Sequence, residues 1–116
     1  MTRRAMSEQS FLVLTVLADG ALHGYGIVRA VSELSRQRVV LRVGTLYGVL
    51  DRLCADGLAE LDSERVHNGR LRRYYRITDN GLTTLAGETA RRSEVVRAAT
   101  ERLRTRGLLP ESGGTA

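Results

Sequence analysis

Two extended runs, residues 58–66 and 71–78, meet at His67-Asn68-Gly69-Arg70, and no other feature narrows the fold of this chain as far. Asn-Gly accepts the positive φ angles of a two-residue type I′ turn, whose twist matches that of paired strands. A β-hairpin is therefore predicted, and the period on either side of it is helical. Ile27, Val31 and Leu34 recur at i, i+4 and i+7, and Leu46, Leu50 and Leu53 do the same. Such spacing gives a helix one apolar face. Helices are predicted over 24–35 and from Gly44 or Thr45 to the Asp56-Gly57 stop. Before them, Ser7 offers an N-cap to a short helix carrying Phe11, Leu12, Leu14, Val16 and Leu17, which Asp19-Gly20 ends. Residues 38–43 are rich in β-branched side chains and are expected to form a short strand. Thr78, with Asp79 after it, caps a helical pattern that runs to Arg106.

The resulting fold class is mainly α with a small β-hairpin. Residues 1–6, with Arg3 and Arg4, read as a flexible basic arm. Residues 107–116, which hold three Gly and the only Pro, read as a flexible tail. The compact part is 7–78, and the helix over 79–106 is longer than so small a core needs, at about 40 Å. Its stripe of Leu82, Leu85, Val96, Ala99 and Leu103, interrupted by Thr89 and Arg92, therefore asks for a partner helix. With Phe11 of the first helix, these residues form the expected interface of a homodimer.

Charge restricts the partners. All 18 basic residues are Arg, against 13 acidic ones, for a net charge of +5 and a pI near 10.3. Arg presents a planar fork that grips a phosphate or a guanine edge with two hydrogen bonds. A basic domain is the footprint of a nucleic-acid binder. Anionic membranes attract the same charge, but a membrane is not the expected partner, and the longest apolar stretches fall far short of the ~20 residues needed to span one. A lone cysteine, Cys54, has no internal disulfide partner, and nothing resembles a secretory signal, so a cytoplasmic setting is expected. Cys54 follows Leu50 by four and reads as a small core residue, and His23 reads as a hydrogen-bonding residue at a helix entry. No nucleophile–base pair, phosphate-cradling loop or metal-ligand spacing is present, so neither an enzyme nor a cofactor or metal site is expected.

A helix enters the major groove only if one face is anchored and the other is free. The third predicted helix meets that need. Leu46, Leu50 and Leu53 anchor it, leaving Thr45, Tyr47, Gly48, Asp51 and Arg52 on other faces. Arg52 either contacts DNA or pairs with Asp56 at i+4. The hairpin supplies the second element: from Arg65 to Arg76 there are five Arg, two Tyr and no acidic residue. Alternation puts Arg70, Arg72, Tyr74 and Arg76 on one face as a line of cations. Leu71, Arg73, Tyr75 and Ile77 lie on the other, half in the core, with Tyr75 and Ile77 inward. Asp62 and Glu64 on the incoming strand are expected to face away from DNA. The plain alternative is a hairpin whose charge only protects a solvated sheet edge.

These residues resemble the PadR family of bacterial transcriptional regulators. The resemblance rests on His23-Gly24-Tyr25-Gly26-Ile27, Gly44-Thr45-Leu46-Tyr47, Leu50, Arg52-Leu53 and Gly57-Leu58. It continues through Gly69-Arg70, Arg72-Arg73-Tyr74-Tyr75 and Ile77-Thr78, and covers roughly residues 10–90. It implies a winged helix-turn-helix over 7–78, a C-terminal dimerisation helix, and repression relieved by a small effector or another signal. It also suggests Tyr25, Thr45, Tyr47 and the hairpin arginines as DNA contacts. Gly48 stands where many members have Pro, and with no Trp the chain lacks the residue some members stack on flat aromatic ligands. The expected function is thus a homodimeric regulator of double-stranded DNA, released from a palindromic operator by an effector of open identity. The expected DNA contacts are Tyr25, Thr45, Tyr47, Arg52, Arg70, Arg72 and Tyr74. The competing function is a winged-helix module that binds another protein without specific DNA binding.

Overall fold

The computed structural model describes residues 5–110. Residues 1–4 of the expected basic arm and 111–116 of the expected tail lie outside the described residues. Two compact units divide the chain, the first ending at Leu85 and the second beginning at Ala86.

In the first unit the order is α1 (Glu8–Leu17), β1 (Leu22–His23), α2 (Gly24–Leu34), α3 (Val43–Ala55), β2 (Ala59–His67), β3 (Arg70–Ile77) and the start of α4 (Asp79–Thr105). Ser7 caps α1, its Oγ accepting the Ser10 N–H at 3.1 Å. Thr78 caps α4 in the same manner, accepting from Gly81 N–H at 2.9 Å. Its hydroxyl also donates to the Gly57 carbonyl at 2.6 Å, and its N–H to that of Leu58, tying the base of the hairpin to the end of α3. The turn takes the expected form, with φ of 52° at Asn68 and 76° at Gly69.

Three helices enclose the core. Val13, Leu14, Val16 and Leu17 of α1, Ile27 and Val31 of α2, and Leu46, Leu50 and Leu53 of α3 are buried, with Leu41 and Ala59 completing the cluster. Tyr75, Ile77 and Leu85 pack against it from the sheet and from the start of α4. Each fully buried Leu or Ile contributes about 1.5–3 kcal/mol to holding the helices together.

Three sequence expectations need correction. Leu34 is 51% exposed rather than part of the buried α2 face. It ends the helix, and the chain then reverses through Arg36 and Gln37, both at positive φ. Residues 38–42 form no strand. The sheet has the order β1-β3-β2, so both edges of β3 are already taken, by Leu22–His23 and by β2. This segment is held instead by Ser35, whose Oγ accepts the Val39 N–H at 2.9 Å. Leu71 is 59% exposed, not half in the core, because it pairs with exposed Val66 beside the turn, where no helix covers the sheet.

The second unit continues α4 to Thr105. Glu88 pairs with Arg91 and with Arg92, the latter at 3.1 Å, and Arg104 donates to the Pro110 carbonyl at 2.8 Å. Val95, Val96 and Leu103 are exposed on it. No helix among the described residues is long and apolar enough to cross a membrane.

Candidate nucleic-acid interface

The site begins with how α2 starts. His23 ends β1 in extended geometry and its Nδ1 accepts the Gly26 N–H at 3.3 Å, capping the helix. The same ring pairs across the sheet with Tyr74, edge to face at a centroid distance of 5.2 Å. Its Nε2 meets Arg72 Nη1 at 3.3 Å. Both neighbours are donors, and a neutral imidazole offers one lone pair. The ring therefore serves as helix cap or as acceptor for Arg72, not both at once. Burial, then the charges of Arg72, His67 and Arg29, lowers its pKa below 6.5 and favours the neutral ring.

Next to it Gly24 lets α3 approach. A Cβ there would stand 2.8 Å from Tyr47 Oη, so the tyrosine lies across the start of α2. Tyr25, one residue on, is 71% exposed. Against these stands β3 of the hairpin. Together His23, Gly24, Tyr25, Tyr47, Arg70, Leu71, Arg72 and Arg73 line an open cleft of about 450 Å³.

Of the seven residues expected from sequence, this cleft unites four: Tyr25, Tyr47, Arg70 and Arg72. Thr45 and Arg52 are exposed elsewhere on α3, and Arg52 makes no ion pair with Asp56. Tyr74 is half-buried on the face away from the core. The Arg65 guanidinium lies 4.6 Å from its ring centroid, and the edge of His23 meets it as well. His23, Gly24 and Leu71 are not among the expected contacts, and Arg73 is among them only as one of the hairpin arginines that the resemblance suggests. His23 carries a signal in its position at a helix entry, whereas its place beside Arg72 follows from the β1–β3 pairing, which residue pattern does not reveal.

The charges are unequal. Arg76 does not belong to a free line of cations, because Glu60 holds it at 2.6 Å and Asp62 at 3.2 Å. Glu60 stands opposite Arg76 in the register, and the irregularity between Leu61 and Ser63 frees Asp62 to reach the same guanidinium. Arg73 pairs with Glu64 directly opposite, at 3.1 Å. Both acidic residues expected to turn from DNA are thus occupied by arginines of the neighbouring strand. Arg70 and Arg72 have no carboxylate partner among the described residues.

The start of α3 differs from those of α1, α2 and α4. Its N-cap is Arg42, which makes no side-chain capping hydrogen bond. Its first-turn amides remain available to an anion, which the helix dipole also favours. Cys54, half-buried on the same helix, sits against the core. Burial, then the negative charges of Asp51 and Glu60, raises its thiol pKa and keeps it weakly nucleophilic. Among the described residues no cluster of His, Cys, Asp or Glu has the makings of a metal site.

Known proteins share this fold. The Transcriptional regulator PadR-like family matches residues 13–87. Transcriptional regulator Rv3488 of Mycobacterium tuberculosis is 39% identical over 85 residues, spanning 73% of this chain and 76% of that protein. A PadR family transcription regulator of Clostridium difficile R20291 superposes with a TM-score of 0.71 at 21% identity, over 84% of this chain and 99% of the other. Bacillus subtilis PadR, solved in complex with operator DNA, superposes with a TM-score of 0.60 at 23% identity, over 67% of this chain and 45% of the other.

Proposed function

The chain belongs to the PadR-like family of transcriptional regulators, and on that premise we propose that it binds double-stranded operator DNA as a homodimer and represses transcription until an effector releases it. The observation that carries the reading is the cleft in which Tyr25, Tyr47, Arg70 and Arg72 converge, its two arginines without a carboxylate partner among the described residues and beside an α3 that lacks a side-chain cap. In this reading the amides of Gly44 and Thr45 and the hydroxyls of Thr45 and Tyr47 meet phosphates while α3 lies in the major groove. The wing, β2 and β3 with their turn, grips the backbone through Arg70 and Arg72, with Arg52 reaching the same strand. Tyr74 orients this grip from behind, through His23 and Arg65.

In this reading the dimer forms through α4, on which Leu82, Val96, Ala99 and Leu103 are exposed. Phe11 and Leu85 belong to the same proposed interface. A two-fold dimer presents two reading helices, so its operator is an inverted repeat with half-sites about 34 Å apart. Repression and release by an effector follow from the family resemblance and belong to the same proposal.

Titration of fluorescent duplex at several salt concentrations tests it. Arg70→Ala and Arg72→Ala should each weaken binding and lower the salt slope by about 1, as expected for a lost phosphate contact. Arg76→Ala, whose guanidinium is already held by Glu60 and Asp62, should bind nearly as wild type does. Wild-type affinity in both cleft variants would remove the wing from the interface. Failure of the wild-type protein to bind any duplex would favour a protein-binding module instead.

A further inference from the structure

The first two turns of α3 carry an unusual set of side chains for a helix that reads bases. Val43, Gly44, Thr45, Tyr47 and Gly48 are exposed there, with Leu46 buried beneath them. None is Arg, Lys, Asn or Gln, the residues that pair in a bidentate manner with guanine or adenine edges. Tyr47 is committed sideways, its hydroxyl lying against Gly24. A Cβ on Gly44 or Gly48 would meet nothing within 4 Å, so no packing inside the protein calls for glycine at either place. Val43, 56% exposed, shares a face with Tyr47 at i+4. It is the one aliphatic side chain that this end of the helix offers to solvent.

A major-groove floor presents one apolar group, the 5-methyl of thymine. We infer that Val43 is the specificity-determining residue of α3, packing its methyl groups against the 5-methyl of a thymine in each half-site. This rests on the DNA-binding reading above. The bare backbone at Gly44 and Gly48 lets the helix sit deep enough for the contact. Exposed Arg42, the residue before Val43, is a cation suited to a flanking phosphate. Sequence is then read by shape and a methyl group, and hydrogen bonds from α3 to base edges contribute little.

The test begins with a duplex selected by the wild-type protein from a random pool. Each thymine of the selected site is replaced in turn by uracil, which removes the methyl group and leaves the hydrogen-bonding edge intact. Replacement at one position per half-site should weaken wild-type binding by about fourfold, the worth of one buried methyl. Val43→Ala should be indifferent at that position, whereas Val43→Ile should keep the penalty. Because Val43 is exposed, neither substitution should alter thermal stability by more than a degree or two. Salt-sensitive wild-type binding with no uracil penalty at any position would overturn the inference and leave the proposed function standing. So would a full penalty persisting in Val43→Ala. Absence of binding to every duplex would overturn both.

Discussion

His23 links two elements through a single lone pair. Its Nδ1 caps α2 and its Nε2 faces Arg72, so the proton on the ring decides which contact is a hydrogen bond. Burial and the surrounding cations lower its pKa, so the unfolded chain takes up a proton at higher pH than the folded one. The neutral ring's contribution to stability is complete above about pH 6.5 and is lost as the pH falls through the folded-state pKa. Melting curves should therefore show Tm falling below pH 6.5 in the wild type. In His23→Asn, whose Oδ1 still caps Gly26, that fall should be smaller. Much at this scale was legible. The anchoring leucines of α3, the positive-φ turn and the Ser7 and Thr78 caps all follow from residue type and spacing. The ring's double contact was not, because it depends on a two-residue strand too short to leave a periodic signal.

At the scale of elements, the hairpin and α4 are locked together at Gly81. A Cβ there would collide with the Leu58 carbonyl and approach Ile77 Cγ1 to 2.6 Å, so the first turn of α4 packs directly on the base of the wing. Gly81→Ala should destabilise the protein by about 1–3 kcal/mol through overpacking, a Tm loss of several degrees by calorimetry. Alanine at Gly48, where no atom stands within 4 Å, should instead raise Tm slightly, since glycine inside a helix costs about 1 kcal/mol relative to alanine. The pair separates a glycine kept for packing from one kept for another purpose. Residue type and spacing cannot tell these apart, because Gly81 and Gly48 both interrupt helical patterns. The missing strand at 38–42 has a similar cause. Val39 and Val40 favour extended backbone, but strand propensity cannot say whether a sheet edge is vacant, and here β1 fills it.

At the scale of the whole molecule, the proposed dimer turns on α4. A helix of 27 residues rises about 40 Å and leaves Val95, Val96 and Leu103 facing solvent in the single chain. Val96→Asp and Leu103→Asp should shift the protein from dimer to monomer in sedimentation equilibrium. Operator affinity should fall at least tenfold, because each half-site is then held alone. The i, i+3 and i, i+4 spacing announced an apolar stripe on this helix. Leu85 turned out to pack on the core of its own unit as well, which a stripe cannot distinguish from a contact with a second chain.

Where the other helices are finished by Ser7, His23 and Thr78, α3 opens on Arg42 without any such closure. A nucleic acid that settles there supplies from outside what the polypeptide omits. The duplex then becomes a structural component of the very segment that inspects it. Occupancy of the chromosome and rigidity of the inspecting segment would rise and fall together.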